Sequence, residues 1–236
     1  GPSLKPAHIQ ALGVHLRVNP LLKPVEDSDA PDHKHLVWNM LFSSSDCHRS
    51  GDAIHRSWSV GRNDPATFPR VTHLRLISAA FPWMVDVKAS RPAVGVTCGD
   101  LIDQLCGFLQ VRLRKEDYAA VTPDQQRLLK NIYHYNRSRA DGVPGGRLGE
   151  GLKRVDWLNT STMFGGVRVN DSFVVHHGGV ALPCTFEVLC LEREEGPEPE
   201  VAELRARGRS RSRRNTSRSS SVHPPPAPRS GGTTPA

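Results

Sequence analysis

No apolar run in this chain approaches the roughly 18 to 20 residues that cross a bilayer. The nearest, Leu76 to Val85, is broken by Pro82, so no membrane partner is expected. The opening Gly1-Pro2-Ser3 lacks the basic-then-apolar pattern of a secretory signal and reads as a processed end, a fragment edge or a cloning remnant. Cysteine is sparse. Cys47, Cys98, Cys106, Cys184 and Cys190 are odd in number and scattered, which argues against a disulfide framework. It points to a reducing, intracellular compartment, cytoplasm or nucleus. The N-x-S/T triplets at Asn136, Asn159, Asn170 and Asn215 then read as chance matches. Also missing are the G-x-S-x-G turn of serine hydrolases, the G-x-x-x-x-G-K-[ST] phosphate loop and a G-x-G-x-x-G after a strand. The stretch from Gly142 to Gly151 reads instead as a mobile loop.

Acidic residues are absent from one region altogether. From Leu204 onward there are eight arginines (Arg205, Arg207, Arg209, Arg211, Arg213, Arg214, Arg218 and Arg229) and no acid. They account for the formal net charge of +7 on 236 residues. Without them, 23 of the 31 basic residues stand against all 24 acidic ones, a net of −1 for residues 1–203. A folded module that holds nucleic acid on a basic face is thereby disfavoured. The tail also dilutes the apolar fraction of 37%. The body lies in the ordinary globular range and is long enough to bury a real core.

Hydrophobic spacing divides the chain. Residues 1–34, with Pro2, Pro6, Pro20, Pro24 and Pro31, read as an extended arm whose Val18, Leu21 and Leu22 dock on the body. His35 to Phe42 reads as a strand with Leu36, Trp38 and Met40 on one face. Residues 43–69 read as a long loop. Strands over Arg70 to Ser78 and Trp83 to Lys88 form a hairpin. Thr97 and Asp100 make a capping box before Leu101, Ile102, Leu105, Phe108 and Leu109 at helical spacing. A second helix starts at Thr122-Pro123 with Gln125 and buries Leu128, Leu129, Ile132 and Tyr135. Arg154 to Leu158 reads as a short strand or extended segment, Phe164-Gly165-Gly166-Val167 as a tight bend into a further strand, and Leu182 to Leu191 as the last strand. The order predicts an α+β domain over 35–191, with a largely antiparallel sheet of about five strands and two helices on one face. A small β-grasp-like core is the alternative. Residues 192–236, acidic and then rich in Arg, Ser and Pro, are expected to be disordered, having too little apolar surface to offset ordering.

Several short motifs recur together in a known order. They are Asn19-Pro20-Leu21-Leu22, Val37-Trp38-Asn39-Met40, Asp64-Pro65-Ala66-Thr67-Phe68-Pro69, Leu74-Arg75-Leu76 and Pro82-Trp83-Met84-Val85-Asp86-Val87. Val96-Thr97-Cys98-Gly99-Asp100-Leu101, Lys153-Arg154-Val155-Asp156-Trp157-Leu158 and Phe164-Gly165-Gly166-Val167 follow. On these motifs, residues 16 to 191 resemble a family of uncharacterised domains abundant in mushroom-forming and related fungi. The resemblance implies a fold and a lineage, but no catalytic residues.

The chemistry-bearing residues favour packing over catalysis. Cys184 and Cys190 share a strand face with Phe186 and Val188, and Cys98 and Cys106 share a helix face; neither spacing is that of a structural zinc site. Asp32-His33-Lys34-His35 and His176-His177 read as polar loop residues. Cys47-His48 lacks a third, orienting group. No cofactor, metal or catalytic set is expected. Asp156, beside Trp157 in an apolar motif, needs a partner. An ion pair with Arg154 is the simplest, and a ligand-reading carboxylate the alternative. Trp58, in the long loop between Arg56 and Arg62, is expected to be exposed and, with Asp156 and Trp157, to contact a partner. The tail offers a basic handle through Arg205, Arg207, Arg209, Arg211, Arg213, Arg214 and Arg218, with Ser210, Ser212 and Thr216 as candidate phosphosites. The expectation is a non-enzymatic protein-interaction domain with a phosphorylatable basic tail. The alternative is a nucleic-acid-associated factor binding through that tail. An enzyme would need a pocket around Asp156, His73 or Cys47.

Overall fold

The computed structural model describes residues 2–27, 33–53, 56–178 and 183–193. In chain order its strands are β1 (Arg17–Val18), β2 (Leu36–Val37), β3 (His48–Arg49), β4 (Thr67–Phe68), β5 (His73–Ser78), β6 (Phe81–Lys88), β7 (Met163–Arg168) and β8 (Thr185–Leu191). The α-helices are α1 (Pro6–Leu12), α2 (Cys98–Leu109), α3 (Lys115–Ala119), α4 (Pro123–Asn136) and α5 (Asp171–Gly178).

The mixed α and β content agrees with the sequence; the sheet does not. Four strands form the main sheet in the order β6-β5-β8-β7, and β1–β4 and β2–β3 are separate two-stranded ladders. The β5–β6 and β7–β8 pairs are antiparallel, but β8 runs parallel to β5, with Leu76 beside Phe186 and Ile77 beside Glu187. Parallel neighbours need a long crossover, and the whole helical region supplies it here. The strand predicted over 35–42 forms a ladder at Leu36–Val37 and beyond it makes an isolated antiparallel bridge, Asn39 to Met163. Asn39 ends it, because its side chain accepts the Leu41 N–H and its carbonyl the Phe42 N–H. That turn is the local alternative Asn offers to a ladder. Leu36, Trp38 and Met40 are nonetheless all buried.

The helix starts form as their sequences predict. Thr97 Oγ1 accepts the Asp100 N–H, and Asp100 Oδ2 accepts the Thr97 N–H, both at 3.0 Å. Thr122 Oγ1 accepts the Gln125 N–H. α2 lays Leu101, Ile102, Leu105 and Leu109 into the main core, which also holds Leu74, Leu76, Val85, Val87, Phe186 and Val188. Each such side chain is worth about 1.5–3 kcal/mol of burial. The amides at the start of α2 are met by the long loop, whose Asp64 and Arg62 carbonyls accept the Cys98 and Gly99 N–H groups. Helices are not confined to one face. The register puts Glu187 on the Ile77 side of the sheet. Glu187 accepts Asn170 Nδ2 there, and Asn170 Oδ1 in turn accepts the Phe173 N–H in the first turn of α5. On α4, Leu129, Ile132 and Tyr135 are buried, whereas Leu128, expected beside them, is exposed.

The arm is structured rather than merely extended. It contains α1, bridges Leu4 to Val71, and buries Val18 and Leu22 in the core. It crosses β7 at Gly166, where a Cβ would lie 2.6 Å from the Pro24 nitrogen. Gly165 is equally confined, against Leu191 and Leu189. The glycine pair is therefore a site of close approach.

Candidate functional site

Arg154–Leu158 is a 3-10 turn, not a strand. Its fully buried Asp156 dictates this. Oδ2 accepts the Lys153 N–H at 2.8 Å and Arg137 Nη2 at 3.1 Å; Oδ1 accepts Arg137 Nη1 at 2.9 Å and Asn136 Nδ2 at 3.0 Å. The ion-pair partner is thus Arg137 at the end of α4, not Arg154. Arg137 also donates to the carbonyls of Tyr133, Gly149 and Gly151, tying down the glycine-rich loop expected to be mobile. With four donors on an enclosed carboxylate, Asp156 clamps α4, the loop and the 3-10 turn together. Both of its oxygens are engaged within the chain.

Arg154 lies instead on an aromatic cluster at the margin of the core. Its guanidinium sits 4.1 Å from the Phe108 ring centre and 5.4 Å from that of Trp83. Trp83 packs edge-on against Trp157 at 5.0 Å and against Phe108 at 6.3 Å. β6, α2 and the 3-10 turn thus each supply aromatic surface that is half-buried against the core. Next to it Val111, which accepts the Arg154 backbone N–H, is exposed. Arg154 Nε is enclosed without a hydrogen-bond partner among the described residues. Burial, then the charge of Arg114, lowers the Arg154 pKa from its ordinary value; an arginine stays charged regardless. Trp157 was visible in the sequence as a candidate contact. Phe108 reads from helical spacing alone as part of the buried face of α2, because one helix period cannot show where a layer ends.

Trp58 does not meet its expectation of exposure. It is 2% exposed, its Nε1 donates to the Val60 carbonyl at 2.7 Å, and Arg62 lies over its ring. Arg62 holds both Asp103 oxygens, at 2.6 and 2.7 Å, so the loop folds onto α2. Cys47 is buried, and that burial pushes its thiol up to about 12; the His48 ring nitrogen Nδ1 lies 3.3 Å from the Asp46 carbonyl. Among the described residues no group of three or more His, Cys, Asp or Glu side chains could hold a metal ion. No helix of the described residues is long and apolar enough to cross a membrane. The tail arginines Arg205, Arg207, Arg209, Arg211, Arg213, Arg214 and Arg218, and Ser210, Ser212 and Thr216, lie outside the described residues.

Open grooves indent the surface of the described residues, two of them of a size to hold a ligand. One, of about 580 Å³, has Phe164, Gly165, Gly166, Leu189 and Leu191 among its lining, with the arm from Leu21 to Glu26 beside them. The other, of about 640 Å³, is lined by residues of the β1–β4 ladder and its flanks. Neither is lined by Asp156, His73 or Cys47, the groups an enzyme reading would have needed.

The architecture defines a mixed α and β domain built on a four-stranded sheet. The model of a family of unknown function, DUF6699, matches residues 36–176, and the chain belongs to that family. The match opens at β2 and closes within α5, so β8 and the docked arm lie beyond it. No curated protein and no solved structure matches the chain.

Proposed function

We propose that this chain is a non-enzymatic protein-interaction domain carrying a phosphorylatable basic tail, and that the Trp83, Phe108, Trp157 and Arg154 cluster is its contact surface. One observation carries this reading: three aromatic rings and an arginine converge from three elements, half-exposed. Tryptophan and arginine dominate interface hot spots. A partner carboxylate or carbonyl facing Arg154 would meet a donor already held by the rings. The fungal lineage suggested by the motifs and an intracellular setting belong to the same reading.

The test is a photo-crosslinking residue placed at Val111 in the full chain, with a control at exposed Leu12. A defined partner joined from Val111, lost on Arg154→Ala or Trp157→Ala and absent from Leu12, is the expected result. Equal cross-linking from both positions would contradict it.

A second reading, nucleic-acid association, rests on the eight acid-free arginines of the tail. Such a run attracts polyanions without regard to sequence. Each phosphate adds about −1.5 to −2 charges, so roughly four or five would cancel it. Labelled single-stranded RNA and duplex DNA, offered to the full chain and to residues 1–203 at two salt concentrations, test it. Binding confined to the full chain and weakened by salt is expected.

A further inference from the structure

The groove lined by the β1–β4 ladder and its flanks is cationic. Arg17, Lys23 and Arg70 line it, and no acidic residue does. None of the three forms a salt bridge among the described residues. Between them lie Pro20, Pro69 and Phe68, the last 64% exposed. We propose that this groove binds a short acidic peptide, its carboxylate or phosphoryl side chains held by Arg17, Lys23 and Arg70, and its apolar side chains resting on Phe68 and the prolines.

The walls are set before any ligand arrives. Arg17 pairs with Phe68 across the ladder, and its guanidinium lies 5.4 Å from that ring's centre. Asn19 Nδ2 donates to the Pro65 carbonyl at 2.8 Å, while Asn19 Oδ1 accepts the Leu21 N–H at 3.0 Å. Thr67 Oγ1 donates to the Pro69 carbonyl at 2.8 Å. Such preorganisation lowers the ordering cost of binding. Three like charges lining one groove repel one another, and an anion between them turns that repulsion into attraction. Guanidinium forks suit carboxylate and phosphoryl oxygens alike. The choice of a peptide over nucleic acid follows from charge and surface. Residues 1–203 carry a net −1, so the positive field is local and favours a short ligand. The prolyl floor offers apolar contact rather than a row of phosphate sites.

Three labelled peptides of equal length serve as probes: one with alternating Glu and Pro, one with phosphoserine in place of Glu, and one with Lys. Fluorescence anisotropy with the full chain should show the first two binding and the third not. The comparison of the first two tells carboxylate from phosphoryl recognition. Arg17→Glu with Arg70→Glu should weaken binding at least about tenfold, since each charged hydrogen bond is worth that much. Trp157→Ala should leave it unchanged, which keeps this test separate from that of the aromatic cluster. Binding that survives the double charge reversal belongs to the basic tail and overturns the proposal, as does a groove that takes a 20-nucleotide RNA, its binding lost on the same reversal, while neither acidic peptide binds. Should the reversed variant fail to fold, a benzophenone-bearing acidic peptide cross-linked to the unaltered chain decides. Mass-spectrometric adducts within residues 17–23 or 65–70 support the groove, and adducts elsewhere overturn it.

Discussion

Asp156 and Arg137 show how much a single buried pair can organise. The carboxylate is fully enclosed and the Arg137 side chain is 10% exposed. Removing one partner strands the other, at a cost of about 3–5 kcal/mol. Asp156→Ala should therefore lower stability by that amount in urea unfolding, and Asp156→Leu combined with Arg137→Met should recover part of it. A loss under about 1 kcal/mol would mean that water reaches the site. The thiols make a second prediction at this scale. Burial raises Cys47 and Cys98 from 9.0 to about 12. A raised folded pKa contributes stability that is fully present below the unfolded value and is lost as pH rises through the folded one. The thiols should thus weaken the fold between about pH 9 and 12 and resist alkylation at pH 8 until the protein unfolds, as mass spectrometry of labelled peptides would show.

At the scale of elements, legibility followed locality. The caps of α2 and α4 rest on residues three apart, and a sequence displays such signals directly. Thr97→Ala should cost about 1 kcal/mol, read from the unfolding midpoint. The direction of β8 was not legible, because its alternation of Phe186 and Val188 with Thr185 and Glu187 fits either neighbour and either sense. Pairing was decided by a crossover through the helices. The 3-10 turn at Arg154–Leu158 was misread as a strand because residues two apart share a strand face, which made Arg154 the natural partner of Asp156. Its true partner lies at the end of a helix 19 residues away. Trp58 was placed in solvent by the polarity of its loop; the Arg62–Asp103 contact that folds this loop inward spans 41 residues. The glycine pair shows the reverse case, in which a recognised motif gained its reason only from packing. Gly166→Ala would put a methyl into the Lys23–Pro24 backbone. It should release the arm, seen as faster hydrogen exchange at Leu21 and Leu22 with α2 unaffected.

At the scale of the whole molecule, the chain separates a body of nearly balanced charge from an arginine tail. The body carries two surface features of different chemistry: an aromatic and arginine cluster at one margin of the core, and a cationic groove lined by the β1–β4 ladder and its flanks. Each of them is proposed to serve recognition of another chain. The central claim is that the cluster is the contact surface. The most direct measurement is photo-cross-linking from Val111 in the full chain, with and without Trp157→Ala. The account predicts a defined partner that disappears with the tryptophan while the fold, read by its melting temperature, persists. An unchanged cross-link in a folded Trp157→Ala protein would contradict it.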